Sequence, residues 1–205
     1  MATLEEFYKY TGSPAQLEIF EELFNVLGSD KATRHNYHEI YSALFPYPNE
    51  VKSILEIGIY HGGSLRAWES LFPQADILGL DINPDFFFEE GRIKSMFVDQ
   101  SKLRTFYDVH KATGRKTYDF IVDDGCHEPN ETLLTFNATL PWLNVDGWFI
   151  VEDIRLVDES LWKNVEESLP GNYTAFLINM NHLRDMENDP HRLKDNIVLA
   201  VRRDS

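Results

Sequence analysis

Leu17, Phe20, Phe24 and Leu27 recur at the spacing of one helical face and stop at Gly28. Ahead of them, Ser13-Pro14-Ala15-Gln16 offers an N-cap residue, a proline for the first turn and a capping-box glutamine, so the pattern predicts a helix opening at Ser13. A second helical stretch, about Tyr37 to Leu44, stops before Pro46 and Pro48. Beyond the prolines the rhythm changes. Ser53–Ile57, Asp76–Leu80, Ile93–Val98, Tyr118–Val122 and Trp148–Glu152 are short apolar runs, most of them separated by amphipathic segments at Gly63–Leu71, Lys102–Thr113 and Glu131–Leu140. Runs with little polar interruption read as strands buried on both faces, and the β-α-β-α alternation predicts an open, mostly parallel sheet. Asn172–Ile178 and Asn196–Val201 add two strands, giving a seven-stranded three-layer α/β/α sandwich.

The 205 residues, 43% hydrophobic and 13% aromatic, suffice for one sizeable core, and no repeat or Pro/Gly/Ser linker divides them. A single domain is expected, with residues 1–50 as a helical cap on a core of residues 51–205. Nineteen basic against 34 acidic residues give a net charge of −15, which repels phosphate backbones and anionic lipid and argues against nucleic acid or membrane partners. Cys126, the single cysteine, builds neither a disulfide framework nor a cysteine-rich zinc site. Met1 to Tyr10 is too charged for a signal peptide, and no run approaches the ~20 apolar residues of a membrane helix. These features predict a soluble, cytoplasmic protein.

In an open α/β sheet the ligand sits beyond the carboxyl ends of the strands, so chemistry is sought there. After the first strand, Glu56-Ile57-Gly58-Ile59-Tyr60-His61-Gly62-Gly63-Ser64 is a glycine-rich turn opening a helix. Tyr60 stands where a dinucleotide fingerprint wants glycine and Ser64 where a phosphate loop wants lysine, so phosphate cradling is unsupported. A tight turn with no ligand fits this loop alone equally well. The second strand ends at Asp81, where α/β nucleotide binders place a ribose acid, and the third at Asp99-Gln100-Ser101. Asp99 could accept from an adenine amino group, although Asp-x-Ser also caps helices. Together they suit a nucleoside without phosphates, of which S-adenosylmethionine is the commonest cofactor.

The fourth strand runs into Asp123-Asp124-Gly125-Cys126-His127 and the fifth into Glu152-Asp153. Carboxylates converging on neighbouring strand ends repel one another or take up protons unless a cation joins them, and their oxygens suit a hard ion such as Mg²⁺. The competing reading is of helix caps and solvated loop acids.

These residues resemble the class I S-adenosylmethionine-dependent O-methyltransferases of the macrocin and mycinamicin type, which methylate sugar hydroxyls with the help of Mg²⁺. The segments that carry the resemblance are Ser29-Asp30-Lys31 with His35, Tyr37 and Tyr41; Ile54 to Gly58 with Gly62 to Arg66; Leu80-Asp81-Ile82; Asp99-Gln100; Asp123 to His127; Val151-Glu152-Asp153; and Asp195-Asn196-Ile197. It implies a Rossmann-like methyltransferase fold in which Asp124, Glu152 and Asp153 ligate the metal and His127 is the general base. Glu56, Gly58, Ser64, Asp81, Asp99, Gln100 and Asp123 would line S-adenosylmethionine. His35 and Tyr37 could close over cofactor or acceptor, although a histidine at a helix start and a packed tyrosine fit a structural role at least as well. The acceptor would be a small-molecule glycoside or a glycan, and the protein could be a homo-oligomer. Cys126 stands where members of the family mostly carry serine, and residues 155–193, where an acceptor lid would lie, match nothing.

Alone, His127 would read as a loop imidazole capping a helix, and the neighbouring acids favour the base. Cys126 is given no chemical role, because methyl transfer needs no covalent nucleophile. Phe86-Phe87-Phe88 reads as core packing and Glu187-Asn188-Asp189 as a solvated loop. Two alternatives to sugar methylation remain open: methylation of a catechol-like phenol, whose vicinal oxygens would also suit Mg²⁺, and a noncatalytic cofactor-binding partner subunit.

Overall fold

In a computed structural model, which describes residues 1–114, 117–183 and 194–205, seven strands form one sheet. They are β1 (Ser53–Ile57), β2 (Asp76–Asp81), β3 (Ile93–Phe97), β4 (Tyr118–Asp123), β5 (Leu143–Ile154), β6 (Tyr173–Asn179) and β7 (Ile197–Arg203), in the order β3-β2-β1-β4-β5-β7-β6. β1 to β5 pair in parallel, and β7 runs antiparallel to both β5 and β6. Strand order reverses between β1 and β4, which opens a crevice at their carboxyl ends.

The helices are α1 (Leu4–Thr11), α2 (Leu17–Leu27), α3 (His38–Leu44), α4 (Gly63–Leu71), α5 (Leu103–Thr113), α6 (Pro129–Thr139) and α7 (Glu159–Ser168). Side chains alternate across the sheet, so each strand feeds two cores. Ile54, Phe120, Val122 and Ile150 join Phe20, Phe24, Tyr41 and Trp68 of α2, α3 and α4 on one face. Leu55, Ile57, Ile121 and Phe149 join Phe106, Phe136 and Trp162 of α5, α6 and α7 on the other. Each fully buried large aliphatic or aromatic side chain contributes about 1.5–3 kcal/mol. Glu56 follows Ile54 onto the α2–α4 side, where no apolar neighbour can satisfy it.

The expected three-layer, mostly parallel fold is what the chain forms, and the first four strands lie within one residue of their expected bounds. The α2 start differs. The helix begins at Leu17, and Gln16, far from closing a capping box, is left-handed at φ +62° and makes no side-chain cap. The N–H of Ala15 instead donates to Ser42 O at 3.1 Å, a tertiary bond to α3 that overrides the local capping pattern. β5 starts at Leu143, five residues before Trp148, with its pairing to β4 shifted between Tyr118 and Phe120.

Two helices, α1 and α7, lie where the pattern suggested none. α1 opens on a full capping box between Thr3 and Glu6 and packs Phe7 edge-on against Trp148 and Phe176. Just ahead of it, the Ala2 N–H donates to Leu177 O at 2.8 Å, covering the outer strand β6. Glu187-Asn188-Asp189 lies outside the described residues. Among the described residues no helix is long and apolar enough to cross a membrane.

Candidate active site

Where β1 ends, Gly58 adopts φ +96°, and a Cβ placed there would stand 2.0 Å from the carbonyl oxygen of Asp124. Only glycine lets the β1 and β4 exits touch in this way. The following loop is braced by Asp81 at the end of β2. Its Oδ2 accepts from the N–H groups of Ile59 (2.8 Å) and Tyr60 (3.3 Å), and its Oδ1 from Asn83 N–H (2.8 Å). Carboxylate oxygens have capacity beyond these bonds, so Asp81 can hold the loop and still accept from a ligand.

Asp99 does what the capping reading expects. Its Oδ1 accepts from the N–H of Ser101 at 3.0 Å, and Lys102 donates to its Oδ2, which with Ser101 holds the carboxyl below its usual range. Gln100 is a buried brace: its amide donates to Asp123 Oδ1 (2.9 Å) and Thr135 (3.0 Å), and its oxygen accepts from Cys126 N–H (2.8 Å). The Asp124–His127 loop is thereby tied to the β3 exit. Burial pushes the Asp123 carboxyl up to about 8, against the pull of the Gly125 N–H and Gln100.

The acids at the ends of β4 and β5 meet Lys31, to which the sequence had assigned no role. Lys31 is 1% exposed, and its Nζ donates to Asp124 Oδ2 at 2.6 Å and to Glu152 Oε2, and lies 3.5 Å from Glu56 Oε1. Desolvation opposes a buried ammonium, but Asp124, Glu152 and Glu56 outweigh it and hold Lys31 charged. The other oxygen of Glu152 accepts from the Tyr41 hydroxyl. Tyr37 donates to Asp153 Oδ1 at 2.6 Å, and His35 stacks on Tyr37 with its Nδ1 3.3 Å from the same oxygen. Residues 31–41 thus supply a polar partner to each of these carboxylates.

Electrostatics follow the same division. Burial raises Asp124, yet Lys31 and then His127 pull it below the usual carboxylate range. Burial raises Glu152 well above that range despite Lys31, and raises Asp153 despite His35. Glu56, which also accepts from Trp68 Nε1 at 2.6 Å, is lifted by burial to about 7.

What faces the cleft is narrower than the expected set. A cavity of about 880 Å³ at the strand ends is lined by Gly58, Ser64, Asp81, Asp99 and Gln100 on the glycine-loop side and by Asp124, His127 and Asp153 opposite. His127 Nε2 stands 4.0 Å from Asp124 Oδ1 and 3.9 Å from Asp153 Oδ2, and these three side chains can converge on one ion. His127 and Asp153 are both left-handed, at φ +55° and +53°, a costly conformation for side-chain-bearing residues that clusters at functional sites.

Glu56, Asp123 and Glu152 do not line this cavity; they are buried behind its wall, facing Lys31, Gln100 and Tyr41. His35 and Tyr37, expected over cofactor or acceptor, are also buried and touch Asp153 from behind. Phe87 and Phe88 pack on the core as expected. Phe86 packs there too but also lines the cleft, beside the exposed Tyr60 at 5.5 Å. Cys126 lies exposed in the lining, and partial desolvation together with the charges of Asp123 and Glu131 raises its thiol. Lys31 and Tyr41 stood in the motif that suggested the family, but nothing local in the sequence marks a lysine for burial.

The chain resembles known proteins in sequence and in fold. The chain is 32% identical over 136 residues to 8-demethyl-8-alpha-L-rhamnosyl tetracenomycin-C 2'-O-methyltransferase of Streptomyces olivaceus, a match covering 62% of this chain and 35% of that protein. It is 32% identical over 115 residues to mycinamicin VI 2''-O-methyltransferase of Micromonospora griseorubida, covering 53% of this chain and 28% of the relative. The chain therefore spans about a third of the length of these curated relatives. Among solved structures, the MycE methyltransferase of the mycinamycin biosynthetic pathway, in complex with Mg and SAH, superposes with a TM-score of 0.68 at 23% identity, covering 90% of this chain and 54% of that one. The methyltransferase-domain family matches residues 55–154. Over that segment, from within β1 to the end of β5, the chain is similar to the methyltransferase-domain family.

Proposed function

We propose that this chain is an S-adenosylmethionine-dependent, divalent-metal-dependent O-methyltransferase that transfers a methyl group to a sugar hydroxyl of a glycoside or glycan. The observation that carries this is the two-sided cleft. A braced glycine loop with Asp81 forms one wall, and Asp124 Oδ1, Asp153 Oδ2 and His127 Nε2 converge on the other. The relatives named for O-methylation of sugar-bearing metabolites support the choice of acceptor.

The residues present fit both groups. Asp30, Asp81, Asp124, Asp153 and Asp195 give the lining an excess of negative charge over Arg34, which suits a cationic sulfonium donor and disfavours phosphates. Asp124 Oδ1 and Asp153 Oδ2, open to the cleft, are oxygens a hard divalent ion accepts, and His127 Nε2 beside them stays unligated for proton transfer. When bound, S-adenosylmethionine supplies an electrophilic methyl group and the divalent ion lowers the pKa of an acceptor hydroxyl.

The chain's own residues then divide the work. Asp81 and the glycine loop orient the donor, with Gly58 and Ser64 allowing its close approach. Asp124 and Asp153 hold the ion, each fixed by a bond on its far oxygen, to Lys31 and Tyr37 respectively. Glu152, the third expected ligand, accepts from Tyr41 and Lys31 and stands beside them behind the cleft wall. His127, whose Nε2 lies about 4 Å from Asp124 Oδ1 and Asp153 Oδ2, takes the acceptor proton at that nitrogen.

The test is incubation with S-adenosylmethionine labelled in its methyl carbon, against a panel of glycosides, free sugars and catechols, with and without EDTA. Label in a sugar methyl ether, abolished by EDTA and restored by Mg²⁺, is the expected result. Transfer confined to catechols overturns the acceptor, and transfer indifferent to chelation overturns the metal.

A further inference from the structure

The cleft is chemically lopsided. The apolar side chains that line it, among them Ile59, Leu80, Ile82, Phe86 and Val98, stand on or just after β1, β2 and β3. Towards β5 and β7 the lining is polar among the described residues: Asp30 and Arg34 from the segment between α2 and α3, Asp153 at the end of β5, and Asp195 just ahead of β7. Arg34 Nη2 and Asp195 Oδ2 face one another at 3.8 Å, wider than a hydrogen bond. Both are held from behind. The N–H of Arg34 donates to Asp30 O at 2.9 Å, closing the turn that presents it. On either side of Asp195 the backbone is fixed: Lys194 O accepts from Leu156 N–H at 2.7 Å, and the fully buried Asn196 donates its side-chain amide to Met180 O at 3.1 Å.

We propose that Arg34 and Asp195 recognise the acceptor sugar, Arg34 donating to one ring hydroxyl and Asp195 accepting from its neighbour, and that they select a neutral polyhydroxylated ring over a phenol or a uronic acid. The inference rests on the methyl-transfer reading above and deepens it. With Asp81 and the glycine loop holding the donor and the reacting oxygen beside His127, the rest of the acceptor extends away from the donor, towards β5 and β7, where this pair lies. A guanidinium beside a carboxylate offers a donor and an acceptor to hydroxyls that can both accept and donate, and a carboxylate oxygen takes more than one bond. A catechol ring would meet no apolar wall on that side and would leave the pair without its partners, the circumstance in which polar sites reject an analogue most strongly. Arg34 is the one lysine or arginine in the lining among the described residues, against eight acids. A uronate would have to draw it off Asp195 and sit among the remaining negative charges.

The experiment is calorimetry of the full chain loaded with S-adenosylhomocysteine and Mg²⁺. The probes are neutral methyl glycosides of glucose, galactose, mannose and rhamnose, the matching methyl glucuronide and galacturonide, and catechol. A neutral glycoside is expected to bind, with the uronides and catechol weaker by about tenfold or more. Arg34→Gln and Asp195→Asn are each expected to weaken that glycoside by about tenfold or more, as for other hydrogen bonds to charged groups, while Tm and S-adenosylhomocysteine affinity stay at wild-type values. Among analogues of the glycoside that each lack one ring hydroxyl, one should bind wild type and both variants alike, a signature that altered packing would not produce. A uronide or catechol binding as tightly as the best neutral glycoside, no neutral glycoside binding, or a smaller loss in both variants overturns the proposal; should Asp195→Asn fail to fold, Arg34→Gln decides alone. Failure of the methyl-transfer reading looks different. S-adenosylhomocysteine then does not bind, and the affinity of the unloaded chain for the neutral glycosides, with its dependence on Arg34, decides the pair by itself.

Discussion

Tyr37 donates its hydroxyl proton to Asp153 Oδ1 across 2.6 Å, and Asp153 Oδ2 is left facing His127 Nε2 at 3.9 Å. Four residues later, one helical turn on, Tyr41 does the same for Glu152. Two phenols at helical spacing therefore meet two consecutive acids at the end of β5, and each decides which way a carboxylate turns.

Tyr37→Phe tests that relationship. The ring keeps its packing, but Asp153 loses the bond that selects its free oxygen, so divalent-ion affinity falls by about 10- to 100-fold, as for other partners that orient metal ligands. Mn²⁺ titration measures it, with calorimetry of S-adenosylhomocysteine as the control that stays unchanged. Equal Mn²⁺ affinity would assign the hydroxyl to stability alone.

Gly58→Ala addresses the meeting of β1 and β4. The new methyl would fall 2.0 Å from a backbone oxygen of Asp124, and alanine disfavours φ +96° regardless of space. A loss of about 2 kcal/mol or more is expected in urea unfolding. Any soluble fraction should bind both metal and S-adenosylhomocysteine more weakly, because the clash pushes the two walls of the cleft apart.

The contrast between what these residues announce and what they conceal has physical causes. β1, β2 and β4 were legible because a strand buried on both faces must be apolar nearly throughout, whereas the outer strand β3 is exposed at Lys94 and Phe97 and the start of β5 was hidden by Asn144, Asp146 and Gly147. The Thr3–Glu6 capping box of α1 and the Trp162, Val165, Leu169 spacing of α7 were present in the sequence and went unread. The cleft acids were legible because parallel topology delivers every strand end to the same edge. Lys31 was not, since its burial depends on carboxylates as far as 121 residues away.

Glu56 makes stability depend on pH. Burial lifts its carboxyl to about 7, while Lys31 pulls the other way, against 4.5 in the unfolded chain. Between those values the native state keeps a proton that the unfolded state has released, so stability falls as pH rises through this window and levels off above it. The amplitude is on the order of 3 kcal/mol at ~1.4 kcal/mol per pH unit. Glu56→Gln removes this linkage, and urea unfolding from about pH 5 to about pH 8 should show a flatter profile. Some slope remains, because the Asp123 carboxyl, raised to about 8, acts in the same direction. A variant as steep as wild type would remove Glu56 from the account.

His127 is the residue on which the chemistry turns, and its backbone complicates the obvious substitution. At φ +55°, alanine adds strain of its own, whereas asparagine visits left-handed backbone readily and cannot act as a base near neutral pH. His127→Asn is therefore the cleaner variant. Its turnover with a sugar acceptor should fall by about 10²- to 10⁴-fold, the usual worth of a positioned general base. Affinity for S-adenosylhomocysteine should hold, because the glycine loop and Asp81 stand on the opposite wall. Raising the pH should restore part of the rate if the acceptor hydroxyl then ionises without help, a signature that lost packing would not produce. Wild-type turnover in both His127→Asn and His127→Ala would leave proton removal to water or to a carboxylate, and His127 would be a loop residue after all.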